Sequence, residues 1–126
     1  MVKVLIAVVD DDVSIRDSLK FSLEVDGFRV HAFANGGELL RDLGLDKFRC
    51  LVSDYRLPDM SGVELVERLR RLGANIPCIL ALSGPNGSAV RRAAAAGVVL
   101  IEKTQLAESL ADVVRSAVAR CPPAEA

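Results

Sequence analysis

The sequence predicts an α/β domain in which a parallel sheet lies between two layers of helix. Two observations carry that prediction. Five short apolar runs alternate with helix-period patterns along the chain, the order that yields parallel strands joined by right-handed helical crossovers. Four of those runs are almost continuously apolar, as strands covered on both faces are.

The first run, Val4–Val9, stops abruptly at Asp10-Asp11-Asp12. Ile15, Leu19 and Leu23 then recur every fourth residue and mark one face of a helix. Ser14 stands near the start of that helix, and Gly27 falls where it should end. The second run, Phe28–Phe33, alternates apolar and polar residues, which assigns it to a sheet edge. His31 is then a solvent-facing strand residue, with no second His or nearby Cys to complete a metal site. The third run, Cys50–Ser53, leads straight into Asp54. Leu65, Val66, Leu69 and Leu72 form the next helical stripe. Ser61 followed by Glu64 has the spacing of a capping box at its start, and Gly73 and Pro77 help to end it. The fourth run, Cys78–Leu82, ends in Ser83. Val90–Ala96 contains two arginines and four consecutive alanines. Such a helix has little area with which to anchor itself, so it and the Gly84–Gly87 loop are expected to be mobile. The fifth run, Val98–Ile101, continues into Glu102-Lys103, and Leu106, Leu110, Val113, Val114 and Ala117 stripe the last helix.

A length of 126 residues suits one domain. We assign it to residues 1–120, with residues 121–126 as a flexible tail or linker stub. The charges nearly cancel, at 16 Lys+Arg against 17 Asp+Glu, so neither direct nucleic-acid binding nor binding to an anionic membrane is expected. Aromatic residues are only 4% of the chain, so the core must be aliphatic. No apolar run approaches the ~20 residues of a membrane span. The first run ends in aspartates rather than a signal-peptide cleavage site, and a cytoplasmic location is expected. Cys50 and Cys78 lie in apolar runs and read as reduced core residues. No CxxC pair suggests zinc.

In an open α/β sheet, ligands bind at the carboxyl ends of the strands. Asp10, Asp11 and Asp54 stand at two such ends. An aspartate there otherwise starts a turn or caps a helix, and Asp12 suits the capping role. Two carboxylates ~4 Å apart repel by ~4 kcal/mol at an effective dielectric of 20. Gathering several therefore calls for protons or a cation, and an oxygen-only ligand set suits Mg²⁺, or Mn²⁺ in its place. Lys103 follows the fifth run onto the same rim, although a lone lysine is ordinarily a solvated surface residue. Ser83 offers a hydroxyl there, or plain turn chemistry. A nucleophilic carboxylate, a divalent cation, a lysine and a hydroxyl together make a phosphoryl-acceptor site.

From about Val4 to Arg120 the chain resembles the receiver domain of two-component response regulators. Val8-Val9-Asp10-Asp11-Asp12 is similar to that family's first strand and acidic pair, and Arg16 falls at its basic position in the first helix. The segment from Val52 to Gly62 resembles the phosphoacceptor strand and the loop after it, with Leu57 to Leu65 most like regulators of the FixJ type. Ile101-Glu102-Lys103 resembles the end of the fifth strand. The resemblance implies a flavodoxin-like (βα)5 three-layer sandwich with strand order 2-1-3-4-5. It implies that Asp54 accepts a phosphoryl group from a histidine kinase or histidine phosphotransfer protein. Asp10, Asp11, Asp54 and the backbone carbonyl of Arg56 would hold Mg²⁺, and Lys103 would pair with the phosphoryl oxygens. The hydroxyl after the fourth strand would trigger the switch. The fourth helix, fifth strand and fifth helix would form the output face for partner binding or homodimerisation.

Three residues depart from the family pattern. Thr104 follows the lysine where the family usually has proline, so a trans peptide is expected there. Leu100 stands at the position of the switch aromatic, and the Gly97–Lys103 segment is about one residue short. An ungapped alignment from Asp54 puts Leu82 rather than Ser83 at the hydroxyl position; an extra residue after Pro77 restores Ser83. These departures support an alternative, an interaction module indifferent to phosphorylation. A more distant alternative is a small haloacid-dehalogenase-like phosphatase, because Asp10-Asp11-Asp12-Val13-Ser14 is similar to that family's signature, with Asp10 as nucleophile. The receiver reading makes the chain a phosphoacceptor that catalyses its own phosphorylation and dephosphorylation, not a turnover enzyme.

Overall fold

The computed structural model describes residues 3–42, 44–84 and 87–120. The 121–126 tail, with Cys121, and Pro85 and Asn86 of the Gly84–Gly87 loop lie outside the described residues. Five parallel strands are present: β1 (Leu5–Val9), β2 (Arg29–Phe33), β3 (Cys50–Asp54), β4 (Cys78–Leu82) and β5 (Val99–Glu102). They form one sheet in the order β2-β1-β3-β4-β5. The alternating run is indeed an edge, β2. The opposite edge, β5, reads as continuously apolar because both of its faces are used: Val99 packs into one helix layer and Leu100 into the other. Its partial exposure distinguishes it from β3 and β4, which are buried throughout.

The helices are α1 (Val13–Val25), α2 (Gly36–Leu40), α3 (Gly62–Arg71), α4 (Gly87–Ala96) and α5 (Leu106–Arg120). Strand alternation sends successive side chains to opposite faces, so two separate apolar layers form. Ile6, Val8, Val52, Ile79 and Ile101 meet Leu19 and Leu23 of α1 and Leu110 and Val114 of α5. Ala7, Val9, Leu51, Leu80 and Leu82 meet Leu39 of α2, Leu65 and Leu69 of α3, and Ala89 and Ala93 of α4. Each large aliphatic side chain buried this way contributes about 1.5–3 kcal/mol, a methyl group far less, so α3 is held much more firmly than α4. Cys50 and Cys78 lie inside these layers, and burial pushes the Cys78 thiol up to about 12.

The helix ends are specified locally. Asp12, not Ser14, caps α1, its carboxylate accepting from Ile15 N at 3.2 Å. Ser61 caps α3 by accepting from Glu64 N at 3.1 Å. The Glu64 carboxylate pairs with Arg68 at 2.6 Å instead of closing the reciprocal half of a capping box. α4 ends at Gly97, whose φ of +70° favours glycine. Arg70 of α3 donates from Nη1 to the Ala96 carbonyl at 2.5 Å, satisfying one of the orphan acceptors at that end of α4. Gly62 is required by close approach: a Cβ there would lie 2.8 Å from Leu80 Cδ2 and 3.0 Å from the Asp54 carbonyl oxygen. That contact seats the start of α3 directly behind the end of β3.

Candidate functional site

Asp10 leaves β1 with its N–H donating to the Phe33 carbonyl at 3.1 Å, which continues the β1–β2 ladder. Its carboxylate accepts from Asp12 N at 2.9 Å, and its carbonyl accepts from Arg16 Nη1 at 2.8 Å. Arg16 therefore braces the backbone of the acidic turn from α1. Asp10 is 2% exposed and Asp54 8%, while Asp11 is exposed. One carboxylate oxygen from each of the three lies within 4.8 Å of the others.

Lys103 begins a 3₁₀ turn, Lys103–Gln105, directly after β5. Its Nζ donates to Asp54 Oδ2 at 2.7 Å. The other oxygen, Oδ1, accepts from Arg56 N at 3.1 Å. Burial alone would lower the Lys103 ammonium, but the Asp54 hydrogen bond and the charges of Asp54, Asp10 and Asp11 outweigh it and raise its pKa. Asp10 moves above the ordinary carboxylate value. Burial is the largest cause, and the negative charges of Asp54 and Asp11 add to it against the Asp12 N–H and Lys103. One lysine thus leaves three clustered carboxylates only partly neutralised. The donor set is all oxygen, and its buried anionic charge lacks full compensation, so a hard divalent cation such as Mg²⁺ or Mn²⁺ fits it.

Four of the residues singled out in the sequence, Asp10, Asp11, Asp54 and Lys103, meet at this rim. Arg56 is exposed and bridges to Ser61, closing the loop after β3 at its base. Leu82 is 2% exposed and belongs to the layer with α3 and α4. Ala81 sits beside Asp54 in the β3–β4 register, and Ser83, exposed just beyond β4, continues the alternation on Ala81's side. Thr104 is exposed within the 3₁₀ turn, and no peptide bond among the described residues is cis. Leu100 is half-buried against the layer that contains α4. Sequence reasoning missed Asp59, whose carboxylate crosses to the start of α2 and accepts from Gly36 N at 3.2 Å and Gly37 N at 2.8 Å. The available signal was the Gly36-Gly37 pair itself, a stretch of backbone with no side chain to block approach.

Residues 6–115 match the family model described as "Response regulator receiver domain". The chain belongs to the response regulator receiver family. The transcriptional regulatory protein FixJ of Bradyrhizobium diazoefficiens is 33% identical over 120 residues, covering 94% of this receiver and 58% of FixJ. This receiver spans just over half the length of that relative and of others such as the nodulation protein W of the same organism, at 52%. Among solved structures, the crystal structure of FixJ-N superposes with a TM-score of 0.82 at 30% identity, covering 99% of this receiver and 100% of FixJ-N. The BeF3-activated DrrB receiver domain superposes at 0.83 with 29% identity, covering 94% of this receiver and all of that chain. The flavodoxin-like strand order and the membership in two-component signalling are thus established together. No helix among the described residues is long and apolar enough to cross a membrane.

Proposed function

We propose that this receiver accepts a phosphoryl group on Asp54 from a histidine kinase or histidine phosphotransfer protein, with Mg²⁺ or Mn²⁺ as cofactor, in the cytoplasm. The observation that carries the reading is the convergence on Asp54 of Lys103 at 2.7 Å and of Asp10 and Asp11 in one cluster. Asp10, Asp11, Asp54 and the Arg56 carbonyl would hold the cation. Bound there, it would neutralise the cluster and stabilise negative charge on the transferring group.

A carboxylate oxygen of Asp54 forms the new P–O bond as the P–N bond of a phosphohistidine breaks, and the bonding pair leaves with the imidazole. Lys103 exchanges its contact with Asp54 Oδ2 for one with a phosphoryl oxygen, and its raised pKa keeps it cationic for that task. Ser83 supplies the hydroxyl that hydrogen-bonds the phosphoryl group. Leu82 has no polar atom to offer and is committed to the core. The face made by α4, β5 and α5 then reads out the change to a partner or a second copy. The phosphoryl group is lost by hydrolysis: water forms a new P–O bond as the Asp54 O–P bond breaks, which releases inorganic phosphate and restores the carboxylate.

The test uses acetyl phosphate and Mg²⁺ with intact-mass detection. The wild type should gain one phosphoryl group and Asp54→Asn none; uptake by Asp54→Asn at the wild-type level would overturn the assignment. One observation favours a second reading, a phosphorylation-indifferent interaction module: Leu100, half-buried in a core layer, has no polar tip to exchange for a new contact. Addition of beryllofluoride discriminates, because the module predicts no change in conformation or assembly. The Asp10-nucleophile phosphatase reading has no comparable support, since the chain is a receiver and the lysine contacts Asp54 rather than Asp10.

A further inference from the structure

The loop from Tyr55 to Gly62 is a closed hairpin whose tip projects beyond the sheet. Tyr55 N–H donates to the Ala81 carbonyl at 2.8 Å, and Gly62 N–H donates to the Tyr55 carbonyl at 2.6 Å. Arg56 bridges to Ser61, and Leu57 N–H donates to the Met60 carbonyl at 3.1 Å. The base is therefore fixed to the sheet, while Pro58-Asp59-Met60 projects from it.

That tip is seated on α2. Asp59 uses both carboxylate oxygens on consecutive amides, Gly36 and Gly37. A Cβ at Gly36 would lie 2.8 Å from Met60 Sδ, and one at Gly37 would lie 3.2 Å from Asp59 Oδ2. The two glycines thus leave a bare backbone surface that the tip fills. The next amide of α2 is served separately, by Asn35 Oδ1 accepting from Glu38 N at 2.9 Å. Desolvation against α2 would raise the Asp59 carboxyl, but the Gly37 and Gly36 N–H bonds outweigh it and hold the exposed side chain below the ordinary carboxylate value.

We propose that Asp59 is a positioning residue for the cation site: by anchoring the hairpin tip to α2, it fixes the loop from which Arg56 presents its carbonyl. This rests on the cation-dependent reading above. The hairpin has two anchors, the sheet at its base and α2 at its tip. Without the second, the segment between Arg56 and Met60 keeps its short hydrogen bonds, the Arg56 N–H on Asp54 and the packing of Leu57, but nothing fixes its outer end to the rest of the fold. A backbone ligand cannot be repositioned by a rotamer change, so its precision depends on that anchoring.

The experiment is a Mg²⁺ titration followed by tyrosine fluorescence, for which Tyr55 is the only Tyr in a chain without Trp, with calorimetry as a second readout. Wild type, Asp59→Ala, Asp59→Asn and Asn35→Ala are compared. Asp59→Ala should weaken Mg²⁺ binding about tenfold, the low end of the loss for an outer-shell partner, and Asp59→Asn, which keeps one carbonyl acceptor, should fall between. Asn35→Ala loosens the same end of α2 without touching the hairpin, so it should lower thermal stability and leave Mg²⁺ affinity unchanged. Equal affinity in wild type and Asp59→Ala, or equal weakening in Asn35→Ala, would overturn the inference. Absence of any Mg²⁺ binding by the wild type would instead sink the cation-dependent reading, and the inference with it. Amide exchange of Gly36 and Gly37 in the wild type gives a check free of folding defects. Mg²⁺ should slow it, and an unchanged rate would refute the coupling.

Discussion

Asp10 carries a cost that the folded chain bears alone. Its carboxyl is buried among other carboxylates, and its pKa is raised above the ordinary 3.8. Between that value and the raised one, the folded chain holds a proton that the unfolded chain has released. Stability conferred by this residue is therefore greatest below the ordinary carboxyl value and falls as pH rises through the raised one. At neutral pH without a divalent cation, Asp10→Asn should be more stable than wild type by roughly 1–4 kcal/mol, the span of one like-charge contact at ~4 Å between a water-like dielectric and an effective dielectric of 20. Mg²⁺ should reverse the order by stabilising the wild type. Urea midpoints with EDTA and with Mg²⁺ measure both; a variant less stable than wild type in EDTA would contradict the charge argument. The sequence disclosed these aspartates because each ends an apolar run. It gave no comparable sign of Asp59, whose meaning depends on Gly36 and Gly37 being brought beside it by the fold.

The contrast between α3 and α4 shows how sequence patterns translate into anchoring. α3 buries Leu65, Val66 and Leu69, whereas α4 buries only Ala89 and Ala93. Opening α4 thus exposes far less apolar surface. Amides of α4 should exchange faster than those of α3 in the unphosphorylated chain; slower exchange would show that backbone packing, not side-chain area, holds α4. The element order and the five strands were readable because apolar runs and helical stripes have different periods. Two features were not. α2 spans only Gly36–Leu40 and is followed by a 3₁₀ turn, Leu45–Lys47, so it is too short to write a full stripe. β5 hides its edge position because side-chain pattern reports which faces are covered, not which strand lies alongside.

Across the molecule, the proposed acceptor site and the proposed output face share one strand at the carboxyl end of the sheet. β5 belongs to both, since it leads into Lys103 and carries Leu100 toward the layer containing α4. Val90, 51% exposed on α4, leaves apolar surface available on that side of the molecule. Beryllofluoride with Mg²⁺ should shift the chain toward a dimer in size-exclusion chromatography, and the shift should vanish in Asp54→Asn. An unchanged elution volume together with unchanged amide exchange in α4 would favour the phosphorylation-indifferent module. The guanidinium of Arg70 on the Ala96 carbonyl bears on how such a signal would travel. A rod pinned at one extremity turns about the pin. Displacement started at Ser83 would therefore become angular motion with its fulcrum at Ala96, widest at Gly87, so that a small local rearrangement is geared up along the length of α4.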